Sequence, residues 1–235
     1  MKTLSALVLL WVLAFAPALA QTAPEVRAVA PFRALKASDG LLVTVSTGAA
    51  QRVEASADNA EFLARIKTEV RDGVLRVSFE HKLNESWSKD NRPKNLRVSI
   101  VAAPLTGIDA SSGARVEVKS TYAANDLKLE ASSGAVITAP ALTANSVQAS
   151  VSSGGVATLG GKVQGLTVQA ASGGVFKGQE MQATTCEADA SSGGTIDVAV
   201  RDQLTAKVSS GGDVRYAGSP KVSKHTSSGG SIKSR

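Results

Sequence analysis

The residues of this chain that could do chemistry are seven serines, each of which directly precedes a glycine. They are Ser112, Ser133, Ser153, Ser172, Ser192, Ser210 and Ser228. A serine hydroxyl can act as a nucleophile, but a catalytic serine is single and needs a base and an oxyanion site beside it. The whole chain contains two histidines. Seven copies with so few bases therefore favour a structural role for the Ser-Gly pair.

Carboxylates offer a second possible chemistry. Asp109 and Glu130 stand at the same position of consecutive repeats, and a glycoside hydrolase needs two carboxylates about 5 to 9.5 Å apart. No aromatic residue that could support a sugar ring flanks them. A polysaccharide-cleaving β-helix enzyme, either a hydrolase or a lyase that uses Asp109 and Glu130, is therefore the alternative function. No convergent catalytic site stands out, so the chain is predicted not to be an enzyme.

Metal and thiol chemistry find little support in the sequence. The position two residues after each repeat glycine varies from Arg115 to Val136 to Asp213, which leaves no column of metal ligands of the kind that calcium-binding β-rolls use. We predict no metal site and no cofactor. Cys186 is the single cysteine, so no internal disulfide can form, and a buried apolar role is predicted for it.

The glycines that follow the serines set the period of the repeat. Successive members are 18 to 21 residues apart, and they are Gly113, Gly134, Gly154, Gly173, Gly193, Gly211 and Gly229. A period near 20 indicates a solenoid, and the residues around each glycine alternate with period 2, as in strands. The sequence thus predicts an all-β fold, a parallel β-solenoid with about 20 residues per coil and the glycines at one corner.

The alternation predicts which side chains point inward. Positions seven, five and three before each of the five glycines from Gly134 to Gly211 are apolar, and positions three and five after the glycine are apolar in most coils. Cys186 falls in the first of these columns. Two strands per coil are expected to flank a corner at which glycine supplies φ > 0. The serine before the glycine continues the inward parity and is expected to form a buried ladder of hydroxyls. Asp197 is expected to point outward.

Residues 21–108 lack the repeat but still resemble strands. The predicted strands are Leu41 to Thr47, Arg52 to Ala57, Ile66 to Val70, Leu75 to Phe79 and Leu96 to Val101. Asp72-Gly73 predicts a hairpin turn, and one or two helical turns are expected within residues 58–65. We expect residues 21–108 to form a β-rich cap and the first coils of the same domain, and residues 109–235 to form the Ser-Ser-Gly solenoid.

One long polar stretch falls outside every register. It runs between Phe79 and Leu96 and carries Trp87, Lys89 and Arg92. A solvated loop is the simpler interpretation, but an aromatic residue among charges on a rigid scaffold is also typical of a binding loop. These three residues are the candidate binding site.

The beginning of the chain predicts export. Residues 1–20 combine Lys2, an apolar run and a final Ala-Leu-Ala, which is the pattern of a signal peptide. No later apolar run is long enough to span a bilayer. The predicted location is the periplasm, the cell surface or the extracellular medium. Basic residues without interleaved aromatics argue against nucleic-acid binding.

The order of motifs resembles a known family. The stretches "FRALKASDGLLVTVSTG", "RIKTEVRDGVLRVSF" and "LRVSIVAAPLTGIDASSGARVEV", followed by recurring "SSGG", are similar to the head GIN domain family, described as putative autotransporter adhesin heads. The resemblance implies a right-handed parallel β-helix-like domain, export and an adhesive role, and the family offers no catalytic residues. A cell-envelope glycan or protein is the expected partner, of unknown identity, and association of copies by end or edge stacking stays open.

Overall fold

The computed structural model describes residues 23–82, 93–119 and 121–235. Within them the chain forms one short helix and seventeen strands that belong to a single hydrogen-bonded sheet. The elements in chain order are β1 (Glu25–Val26), β2 (Ala34–Ala37), β3 (Leu42–Thr47), β4 (Arg52–Ser56), α1 (Ala60–Arg65), β5 (Ile66–Arg71), β6 (Val74–Phe79), β7 (Arg97–Ala102), β8 (Gly107–Ala110), β9 (Arg115–Val118), β10 (Tyr122–Ala131), β11 (Val136–Val151), β12 (Val156–Ala170), β13 (Val175–Ala190), β14 (Thr195–Val208), β15 (Asp213–Ala217), β16 (Lys221–Thr226) and β17 (Ser231–Ser234).

The repeat forms the predicted parallel β-solenoid. Strands β10 to β14 stack in parallel, each on the next. The longest of them have 16 residues because each bends around the coil instead of running straight. A third short side, exemplified by residues 142–144 and 161–163, joins the two predicted ones. The coil therefore has three sides, where the sequence predicted two strands.

Each corner is a tight turn with two consecutive residues at positive φ. At the first Ser-Ser-Gly corner, Ser112 has φ 50° and Gly113 has φ 74°, and the amide of Ala114 donates to the carbonyl of Ser111 at 3.0 Å. Positive φ at both central residues is the signature of a type I′ turn. The amide of Gly113 also donates to the carbonyl of Ser133 in the next coil at 3.0 Å. The same bond recurs from coil to coil and stacks the corners.

The corner serines correct one prediction. All seven adopt φ between 47° and 50°, and all seven are exposed. The expected inward ladder of hydroxyls is therefore wrong, because positive φ turns the chain out of its strand and ends the alternation one residue early. The buried position is taken by the residue after the glycine, as Ala114 and Ala135 show.

The core follows the predicted alternation on both sides of the corner. The residues of the predicted inward columns are buried from coil to coil. Cys186 is 5 % exposed and lies in register between Leu166 and Leu204. Burial raises the pKa of its thiol to about 12. The core is thus a continuous stack in which each coil covers the apolar side chains of its neighbours.

The first coils are stacked out of chain order. Strand β2 lies between β6 and β8, and β3 lies between β7 and β9, all in parallel. The chain therefore builds the second layer before the first. Asp39 and Gly40, with φ 60° and 70°, form a corner of the same type, and the amide of Gly40 donates to the carbonyl of Ser112 at 3.0 Å. The corner stack begins here, ahead of the first Ser-Ser-Gly.

Antiparallel strands and α1 close the N-terminal end. Strand β4 pairs with β7, and β5 pairs with β6 through the predicted hairpin at Asp72-Gly73. Asn59 caps α1, since its side chain accepts from the amide of Phe62 at 2.8 Å. The guanidinium of Arg65 packs 4.6 Å from the ring centroid of Phe79. These contacts cover the apolar end of the stack.

The C-terminal end has polar side chains where the earlier coils have core. Lys224 occupies the column of Ala206, and its ammonium lies 5.3 Å from the ring centroid of Tyr216. Asp197, expected outward, is only 6 % exposed because the guanidinium of Arg235 covers it at 2.6 Å. In the part of the chain that the structure describes, no helix has the length and apolar character to cross a membrane.

Candidate functional site

The predicted binding residues Trp87, Lys89 and Arg92 lie outside the described residues. The structure shows the surface beside which their segment begins and ends. A cavity of about 350 Å³ there is lined by residues that include Phe79, His81, Pro93, Asn95 and Leu96. His81 packs edge-on against Phe79, with ring centroids 5.4 Å apart. His81 and Pro93 of this cavity are close in sequence to residues 82 and 93, where the described chain stops and resumes.

The structure brings the two candidate carboxylates together, and each of them is paired with a lysine. Asp109 and Glu130 are register partners on β8 and β10. The ammonium of Lys36 lies 2.7 Å from Asp109, and that of Lys128 lies 2.6 Å from Glu130. The shallow notch beside them also receives Arg76, and no aromatic residue lines it. Each carboxylate therefore serves an ion pair, which differs from the acid and nucleophile pair of a glycosidase.

The corner serines show no feature of a nucleophile. Within the described chain, none of the seven exchanges a side-chain hydrogen bond with a histidine or a carboxylate. Their exposure and positive φ fit a turn position in which the side chain faces solvent. Among the described residues, no three His, Cys, Asp or Glu side chains are grouped so that they could hold a metal ion.

A groove lies on the third side of the solenoid, and we call it the axial groove. It crosses β10, β11, β12, β13 and β14, which corresponds to about 19 Å along the axis at the usual strand spacing. Its volume is about 320 Å³. The residues that line it are Ala123, Ala124, Thr143, Ala144, Asn145, Lys162, Val163, Gln164, Gln182, Thr184 and Arg201.

The walls and the floor of the axial groove follow from strand alternation. Thr143, Lys162 and Gln182 are register partners on three successive strands, so their side chains form one wall. The next outward position of the same strands carries Asn145 and Gln164, which contribute to the other wall. Small buried side chains alternate with these residues and form the floor, as Ala144 at 6 % and Val163 at 3 % exposure show.

The groove is rich in hydrogen-bonding groups and poor in charge. The side-chain amide of Asn145 donates to the side-chain oxygen of Asn125 in the preceding coil, which aligns amides along the axis. Arg201 is held by Asp202 through bonds of 2.7 and 3.0 Å. Lys162 makes no ion pair with any described residue, so one cation is available inside the groove. Such a surface can bind an extended polar polymer through repeated amide and hydroxyl contacts.

Sequence reasoning missed this groove for a definite reason. The predicted inward and outward columns extend only five positions after each glycine. Thr143 is nine positions after Gly134, and Lys162 is eight positions after Gly154, so neither belongs to a predicted column. The third side lies in the part of the repeat whose length varies. A repeated amide or hydroxyl at this place, as in Asn145 and Gln164, was the signal that could have indicated it.

Solved structures of bacterial proteins share this fold. A crystal structure of a putative adhesin from Bacteroides fragilis superposes with a TM-score of 0.80 at 19% identity, and covers 91% of this chain and 96% of its own. A putative lipid binding protein from Parabacteroides distasonis gives 0.71 at 19% identity, with 90% and 96% covered. A putative adhesin from the same organism gives 0.70 at 20% identity, with 91% and 96% covered. At these identities the likeness shows a common fold.

Sequence comparison identifies the family of the chain. The search of curated proteins finds no match. The family model described as "Putative auto-transporter adhesin, head GIN domain" matches residues 31–220, which include all of the coils from β2 to β15. The corner stack, the parallel coils and this match over most of the chain lead to one conclusion: the chain belongs to the head GIN domain family of putative auto-transporter adhesins.

Proposed function

We propose that this protein is an exported binding protein of the cell envelope that acts by contact and catalyses no hydrolysis or elimination. Its location would be the periplasm or the cell surface, where residues 21–235 act as one β-solenoid unit. The axial groove carries the proposal, because it crosses five strands and combines a floor of small side chains with walls of amides and hydroxyls. A site of this length fits a polymer better than a small molecule.

The ligand class that suits the groove is an extended glycan. Sugar hydroxyls both donate and accept hydrogen bonds, and the side chains of Asn145, Gln164 and Gln182 do the same. Lys162 adds a cation that a carboxylate or another acidic group on the polymer can approach. The repeated spacing of the strands lets successive sugar units meet similar groups on successive coils.

A matched pair of double variants tests the groove. Lys162→Ala with Gln164→Ala removes two exposed groove side chains from β12. Lys177→Ala with Gln169→Ala removes the same two residue types from exposed positions elsewhere on the solenoid. Glycan arrays and pull-downs from envelope extract should show binding that the first pair weakens at least about tenfold and the second leaves unchanged, since each lost charged or neutral hydrogen bond costs about 1 kcal/mol. Equal binding by both variants would remove the groove from consideration.

Trp87, Lys89 and Arg92 are a second proposed contact. The support for them is the aromatic residue itself, which can stack on a sugar face or anchor a protein interface, and the apolar cavity at Phe79 and Leu96 beside their segment. Trp87→Ala should weaken capture of the same ligand, while Lys162→Ala serves as the comparison. If Trp87→Ala leaves the affinity unchanged, the axial groove alone remains the proposed site.

The absence of turnover is testable on the same ligands. Incubation of the protein with envelope polysaccharides should release no reducing ends and no unsaturated products. Release that is abolished by Asp109→Asn or Glu130→Gln would contradict the proposal and favour the enzyme. The lysine that each carboxylate contacts supports the expectation of no release.

A further inference from the structure

The last part of the chain carries all of its excess positive charge beyond the predicted signal peptide. Residues 21–200 contain 18 Lys and Arg and 18 Asp and Glu, so they are formally neutral. Residues 201–235 contain seven Lys and Arg and two Asp and Glu, a formal charge of +5. The asymmetry is not visible when the N-terminal part, residues 21–108, is compared with the repeat, residues 109–235, because they contain 13 and 12 Lys and Arg residues.

The fold places this charge at one end of the solenoid. Residues 201–235 form the end of β14 and all of β15, β16 and β17, which are the last coils of the stack. In the described chain, β16 pairs with β14 along one edge and β17 pairs with β15 along one edge, so the outer edge of the final coil is open. We call residues 221–235 the cationic tip.

Three lysines of the cationic tip have no acidic partner among the described residues. Of the four Lys and Arg residues in the cationic tip, Arg235 is paired with Asp197 at 2.6 Å, which leaves Lys221, Lys224 and Lys233. These lysines are exposed and spread around the coil. Lys221 begins β16, Lys224 lies at the open end beside Tyr216, and Lys233 is on β17.

Partly buried apolar side chains lie among these lysines. Val222 and Ile232 pack on the core from the last coil and are neither fully buried nor fully exposed. The open end of the solenoid therefore combines a small apolar centre with separated cations around it. One phosphate ion would need convergent groups, whereas separated lysines fit a laterally extended array of phosphates.

We propose that the cationic tip docks the solenoid end-on onto an anionic phospholipid surface, with Lys221, Lys224 and Lys233 against headgroup phosphates. The neutral body of the solenoid gives no competing attraction, so the charge asymmetry sets the orientation. Val222 and Ile232 then meet the headgroup region. The axial groove, which runs along the side of the body, stays clear of the surface and accessible to a polymer.

Vesicle binding tests the proposal directly. The purified protein is sedimented with phosphatidylcholine vesicles that do or do not contain phosphatidylglycerol, at about 0.01 M and about 1 M salt, where the Debye length is about 30 Å and about 3 Å. We expect binding to the anionic vesicles at low salt only. Each lysine near an anionic bilayer contributes about fivefold in affinity, so Lys221→Gln, Lys224→Gln and Lys233→Gln together should weaken binding by about 100-fold.

A charge-matched variant separates the tip from net charge. Arg76→Gln, Lys94→Gln and Arg97→Gln remove the same three charges from exposed positions in the N-terminal part. Arg76 and Arg97 lie on the first strands of the stack, about 38 Å from the tip at the usual strand spacing. The variant should change binding by less than about threefold, because only charges within about a Debye length of the surface contribute. The double variant Lys221→Gln with Lys233→Gln leaves the contact of Lys224 with Tyr216 in place. It should lose about 25-fold and guards against unfolding of the triple variant.

Three results would overturn the proposal. The first is equal loss of vesicle binding in the tip and body variants, which would make net charge the cause. The second is no binding of the wild-type protein to anionic vesicles at low salt. The third is binding to a soluble polyphosphate without binding to vesicles, which would identify a polyanion instead of a lipid surface as the partner.

Discussion

Two adjacent glycines at the third Ser-Ser-Gly corner should respond very differently to the same substitution. Gly154 has φ 73°, and a β-carbon built on it meets nothing within 4 Å. Gly155 is buried, and a β-carbon there would lie 2.2 Å from the carbonyl oxygen and 2.5 Å from the carbonyl carbon of Ala131 in the preceding coil. The first glycine is needed for backbone conformation and the second for space.

The expected magnitudes follow from these two causes. Gly154→Ala places a β-carbon on a left-handed residue with free space around it, which costs about 1 to 2 kcal/mol of the free energy of unfolding. Gly155→Ala pushes a β-carbon into main chain that cannot move without displacing a coil, and overpacking of this kind costs about 3 kcal/mol or more. The informative quantity is therefore the difference between the two variants in the free energy of unfolding that each one loses.

Urea unfolding followed by far-ultraviolet circular dichroism measures both variants. The urea concentration at the midpoint of unfolding should fall more for Gly155→Ala than for Gly154→Ala. The dependence of the free energy of unfolding on urea concentration should equal that of the wild type if the fold is kept. Ala135→Gly is the matched control, because Ala135 stands at the position of Gly155 in the preceding coil and already carries a β-carbon. It should cost only about 1 kcal/mol through backbone entropy. A Gly155→Ala protein as stable as Gly154→Ala would refute the close approach of the coils at this corner.

Three further predictions concern the core and the C-terminal end. Cys186 should resist a bulky thiol reagent until the protein is unfolded. Because its pKa is raised to about 12, the thiol of the unfolded chain ionises first. The free energy of unfolding relative to Cys186→Val should therefore fall by about 1.4 kcal/mol per pH unit between about pH 9 and about pH 12. A difference that is constant with pH would contradict the burial of the thiol. Lys224→Val removes an inward charge from an end strand and should promote end-to-end association in sedimentation experiments, whereas Lys224→Arg should stay at the wild-type size. Arg235→Ala removes the side chain that covers the carboxylate of Asp197. It should cost about 0.5 to 1 kcal/mol, because water can then solvate the carboxylate, and it should speed hydrogen exchange in the last coil only. Unchanged exchange there would show that the pair does not hold β17.

The alternation of apolar residues was the most reliable signal in the sequence. It placed Cys186 in register with Leu166 and Leu204, as observed. It also located five strands of the N-terminal part to within one residue, although it did not predict β1 and β2. This works because side chains of a strand alternate strictly between two faces, so a single residue out of place would expose the whole column.

The corners were less predictable because they break that alternation. The serine before each glycine was assigned inward by parity, yet it adopts positive φ and faces solvent. Ser38-Asp39-Gly40 forms a corner of the same type and was not recognised, since aspartate replaces the usual serine. Asp and Ser are both short polar residues that are common in turns, so the two corners have the same turn geometry although their sequences differ.

Long-range neighbours account for the features that no local pattern contained. The position of β2 between β6 and β8 joins strands that are separated by loops and a helix. Asp197 is covered by Arg235, 38 residues away. The axial groove likewise needs five strands from five coils.

The sequence by itself determined the class of fold, the length of the coil, the inward columns and the family resemblance, because each depends on spacing within one or two coils. Only the tertiary structure decided the order of the first layers, the burial of Asp197, the shape of the axial groove and the collection of positive charge at one end. Each of these is a property of which coils lie next to each other, and the period-2 pattern that makes every coil stackable is the same in all of them.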